Sequence, residues 1–142
     1  MMDGGTVWNT NLGSAVDRCR EMVDRDEDIV MDVIICTGGK LDAINATGDT
    51  IENYMRSLLI IAQFKALEDI KKFRQAQPNV TYRYFFMASK PLAPVQDLLS
   101  FTPEIIQPMI DIGKGDADTI VKTTKPGESF KIVDDWLDSP YI

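Results

Sequence analysis

The chain has 142 residues, enough for one domain with its own core, and its 44% hydrophobic and 26% charged residues are ordinary globular values. A net charge of −7 argues against a sequence-independent nucleic-acid grip and against simple attraction to an anionic bilayer, since both need clustered Lys and Arg. The absence of His removes a Ser-His-Asp triad, a Cys-His dyad and the commonest zinc sites as self-contained options, leaving a carboxylate, an amine, a Tyr or an N-terminal group as a base.

The chain opens on Asp3-Gly4-Gly5, three spacer residues, then Asn9 and Asn11. Two glycines let the backbone turn sharply, so a carboxylate there can face a cleft. A loop Asp before a helix is the alternative reading, because Asp-Gly is common turn chemistry. Asn11 to Val23 reads as an amphipathic helix, with Leu12, Val16, Cys19 and Val23 at helical spacing and Asn9 or Asn11 as its cap. Asp3 then lies close before a helix start, where the macrodipole favours an ionised carboxylate. Asp24 to Asp28 reads as a solvated turn whose spacing does not match a calcium loop.

Ile29 to Cys36 is a nearly continuous apolar run broken by Asp32, which predicts a strand buried on both faces of a parallel sheet. Thr37-Gly38-Gly39-Lys40 ends it without the full spacing of a phosphate loop, and Leu41 to Asp49 reads as a loop. A long helix is predicted from Thr50 to about Gln77. Leu58-Leu59-Ile60-Ile61 is apolar all round, which predicts a middle buried by several neighbours, while Lys65 to Arg74 should meet water. Val80 to Met87 reads as a second strand with large side chains on both faces. Leu98, Leu99 and Phe101 are apolar without clear period and read as core in preference to a partner or lipid surface.

Thr102-Pro103-Glu104 is a helix start, with Pro108 expected to kink or shorten the helix and Gly113-Lys114-Gly115 to break it before a short helix, Asp116 to Thr123. Residues 124–142 read as an aromatic, acidic tail that packs on this domain or docks on another chain. Gly127-Glu128-Ser129 half-matches a nucleophile elbow by chance. Cys19 and Cys36 read as buried free thiols, and sequons occur at Asn45 and Asn79. The alternation of strands and helices predicts an α/β fold of three layers around a mostly parallel sheet.

The order Asp3-Gly4-Gly5…Asn9 resembles the Asp motif of patatin-like lipid acyl hydrolases, with Asn11 where that family usually has Pro. The pattern of elements up to about residue 123, including Asp111 to Ala117 as a turn into a helix, resembles the part of a patatin domain that follows its catalytic Asp. The resemblance implies a partial three-layer sandwich over residues 1–123 and ester hydrolysis through an acyl-serine. Asp3 would be the base or orienter of the Ser, and Gly4, Gly5 and Asn9 would support the motif. It implies no cofactor and no metal, and a lipid or acyl ester as substrate. The family's Gly-x-Ser-x-Gly elbow and Gly-rich oxyanion loop precede the Asp motif, and these 142 residues hold neither. The chain by itself is therefore expected to be inactive, and Ser57 has no elbow around it.

The alternative is a non-catalytic subunit derived from the same fold, with a protein partner or self-association covering the open sheet. A nucleotide-binding switch domain rests only on Gly38-Gly39-Lys40. No signal peptide, no transmembrane segment and no nucleic-acid partner are expected, so the chain reads as soluble or peripheral to a membrane.

Overall fold

A computed structural model of the chain describes residues 10–38, 50–90 and 102–138. Its elements are α1 (Leu12–Arg20), β1 (Val30–Gly38), α2 (Thr50–Ala76), β2 (Thr81–Ala88), α3 (Pro103–Thr123) and α4 (Lys131–Asp138), with 3-10 turns at Asp26–Asp28 and Glu128–Phe130. β1 and β2 pair in parallel, so the chain is an α/β protein. The 27-residue helix α2 lies between the two strands in sequence, the length of connection that parallel pairing requires. Two compact units share these elements. One holds α1, α2, α4 and the first residues of both strands; the other holds the rest of the strands and α3.

In the first unit, α1 starts where Asn11 accepts a hydrogen bond from Ser14 N at 3.2 Å, satisfying one of the orphan donors of the first turn. Val16 is buried and Leu12 and Cys19 are half-buried, as the spacing predicts. The helix ends at Arg20, and Val23 N still donates to Cys19 O at 3.1 Å, so its stop differs from the expected one by a frayed turn. Gly13 faces Phe73, where α1 meets α2.

The buried face of α2 is Gln63, Ala66, Leu67 and Ile70, which recur at helical spacing. This reverses the expectation. The half with more charge is the packed half, and in the apolar half Ile51, Tyr54, Leu58 and Ile61 are exposed. Apolar density misled, because Lys65, Glu68 and Lys72 occupy a face away from the packed one and cost the core nothing. α4 packs on the same end of α2: Asp134 lies 3.8 Å from Lys71 Nζ and 3.6 Å from Arg74, and Asp138 accepts from Lys71 at 3.2 Å. Val133 is fully buried.

Arg20 organises the acidic turn. Its guanidinium grips Asp26 with two bonds of 2.9 and 2.7 Å, and also reaches Asp17 at 3.1 Å and Gln77 at 2.8 Å. The Arg20 hydrogen bonds hold the Asp26 carboxyl below its usual 3.8, and Arg25 does the same for Asp28. A carboxyl whose folded pKa is depressed contributes stability above the unfolded value, lost as pH falls through the folded one. Asp26→Asn should therefore lower the urea midpoint near about pH 6, and the gap to the unmodified protein should close by about pH 2. Urea titrations at the two pH values check this.

β1 differs from its expectation. Met31, Val33 and Ile35 are buried, whereas Val30, Asp32, Ile34 and Cys36 are exposed. A doubly buried strand has no room for an unmatched carboxylate, so Asp32 was the sequence signal for an open face. Its Oδ1 accepts from Tyr84 N at 3.1 Å. In the second unit Val33, Ile35, Phe85, Ala88 and Phe130 are buried. The turn before Phe130 is set by Lys125-Pro126-Gly127-Glu128: Glu128 N donates to Lys125 O at 3.0 Å and Gly127 takes φ 87°. Pro then Gly at these two positions suits a turn that needs φ > 0 at its third residue.

α3 is one helix of 21 residues and corrects two expectations. Pro108 sits in the second turn, so its missing N–H leaves only the Glu104 carbonyl without an intrahelical partner. Gly113-Lys114-Gly115 lies inside the helix, not in a turn, and so does the whole of Asp111 to Ala117. Neither glycine has a positive φ, and an added Cβ would meet nothing within 4 Å at either. Gly113→Ala and Gly115→Ala should each stabilise by about 0.5–1 kcal/mol, because Gly costs a helix interior that much relative to Ala. Thermal unfolding of the two variants checks this; a loss of stability would mean the segment is not helical.

Candidate functional site

Asp3, Gly4, Gly5 and Asn9 lie outside the described residues. So do Leu98, Leu99, Phe101 and residues 39–49, including Lys40 and Asn45. The structure begins at Thr10 and enters α1 two residues later, with Leu12 N donating to Thr10 O at 3.0 Å. β1 runs through Thr37 and Gly38, so the first half of Thr37-Gly38-Gly39-Lys40 is strand.

Each unit holds a recess among its described residues. In the second unit a groove of about 300 Å³ lies between the carboxyl-end halves of β1 and β2 and the middle of α3. Its apolar walls include Ile34, Phe86, Met87 and Met109, with Cys36 and Asp116 as its polar groups. In parallel sheets the carboxyl ends of strands are where ligands bind. Asp116 is already engaged, its Oδ2 accepting from Ser89 N at 2.8 Å. Both thiols are free, but Cys36 is exposed and Cys19 only half-buried, contrary to the buried reading.

In the first unit a recess of about 370 Å³ is lined by Lys71, Arg74, Gln75, Pro78, Tyr82 and Asp134. The Arg74 guanidinium lies 5.9 Å from the centre of the Tyr82 ring, within cation–π range. The Tyr82 hydroxyl donates to Gln77 O at 3.3 Å, and burial pushes the phenol up from its usual value, so it stays protonated at neutral pH. A protonated Tyr and cations matched by Asp134 make a structural ion-pair cluster, not a base.

The described serines bear on the nucleophile. Ser57 Oγ donates to Tyr54 O at 2.7 Å, and Ser129 is buried with Oγ accepting from Phe85 N at 2.8 Å. Both hydroxyls serve the backbone. Ser89 is exposed and meets Asp116 through its backbone N–H. No metal-ligating cluster of three or more His, Cys, Asp or Glu occurs among the described residues, and none of the described helices is long and apolar enough to cross a membrane.

No family model, curated protein or solved structure matches this chain significantly.

Proposed function

We propose that this chain carries the acidic half of a Ser–Asp hydrolytic unit of the patatin-like lipid acyl hydrolase type. The observation that supports it is the Asp3-Gly4-Gly5…Asn9 order running straight into a capped helix, followed by two parallel strands joined through α2. On this reading the α/β elements are one section of a three-layer sandwich.

The chemistry is acyl transfer. A Ser hydroxyl attacks the ester carbonyl as its proton passes to the Asp3 carboxylate. The carboxyl returns that proton to the leaving oxygen as the C–O bond breaks, so an alcohol departs, and water then cleaves the acyl-serine by the same route, its proton passing through Asp3 to the Ser oxygen. Backbone N–H groups would hold the oxyanion. Asp3 must start ionised to accept that proton. The nucleophile and the oxyanion loop would come from sequence beyond these 142 residues.

A second reading, a non-catalytic subunit of the same fold, is favoured by the exposed apolar side chains of β1 and α2. Fluorophosphonate labelling of the native material with mass mapping separates the two. The hydrolase reading expects a labelled Ser in an elbow, no label on Ser14, Ser57, Ser89, Ser100, Ser129 or Ser139, and a loss of labelling and esterase rate of at least about a thousandfold for Asp3→Asn. No label at all leaves the subunit reading standing. An unaffected Asp3→Asn enzyme removes the role assigned to Asp3.

A further inference from the structure

We draw no further inference here: the strongest candidate, the apolar groove of the second unit between the carboxyl-end halves of β1 and β2 and the middle of α3, carries nothing, because residues 39–49 and 91–101, which follow the two strands in sequence, lie outside the described residues and nothing in the structure shows what covers it.

Discussion

Phe130→Ala is expected to cost about 3–5 kcal/mol, the largest loss for any single substitution considered for this chain. Phe130 is fully buried, and its ring lies 5.5 Å from that of Phe85, itself 1% exposed, at an interplanar angle of 44°. Truncation removes both the transfer free energy of the ring and the contacts of the atoms that lined it. A domain of this size has about 5–15 kcal/mol in all, so the variant should lose a large part of it. At about 2–4 °C per kcal/mol, the midpoint should fall by roughly 10 °C. Ile132→Ala, at a position 39% exposed and two residues away, should cost under about 1 kcal/mol and serves as the control. Differential scanning calorimetry of the three proteins decides the matter. If residues 124–142 were only a tail docking elsewhere, both variants would unfold with the unmodified chain.

That test bears on what could be read in the sequence. The strands and helices were legible because their signals are local. Asn11 as a cap, the apolar run after Ile29, the helical start at Thr50 and Thr102-Pro103-Glu104 each declare an element within a few residues. Parallel pairing follows from the alternation of strands and helices, supported by the length of α2. Which face of an element is covered was not legible, because that depends on what lies opposite in space. Hence the exposed half of α2 looks like core from its sequence, and whether Phe130 packs on this domain or docks on another chain stays open there. Propensity alone predicts a helix shortened or kinked at Pro108 and broken at Gly113-Lys114-Gly115, yet α3 runs through all of them over its 21 residues. The candidate site is a different case. Asp3 stands out through a short motif, and the chemistry proposed for it needs a hydroxyl that no local pattern in these residues supplies.

Ser129→Ala is expected to cost about 1–3 kcal/mol, more than the loss of one hydroxyl at a surface. The reason is the partner left behind. Phe85 N donates to Ser129 Oγ at 2.8 Å in a buried setting, so the strand amide is satisfied by a side chain from the turn before α4. Without the oxygen, a buried N–H carries its full desolvation cost, since water cannot reach it. Three readouts separate this role from a catalytic one. The amide of Phe85 should exchange with deuterium faster in the variant, and this reports the bond directly. The loss should be the same near about pH 3 and about pH 7, because a serine hydroxyl does not titrate there, in contrast to the Asp26 effect. Any esterase rate of the native material should be unchanged once the protein is held well below its lowered midpoint. The last point decides how Gly127-Glu128-Ser129 is understood: a nucleophile must present its oxygen to a substrate, and this one is turned inward to hold a strand. Because Ser129 adjoins Phe130, the two substitutions should not add. The double variant should lose less than the sum, since removing the ring opens a path by which water can reach the orphaned amide.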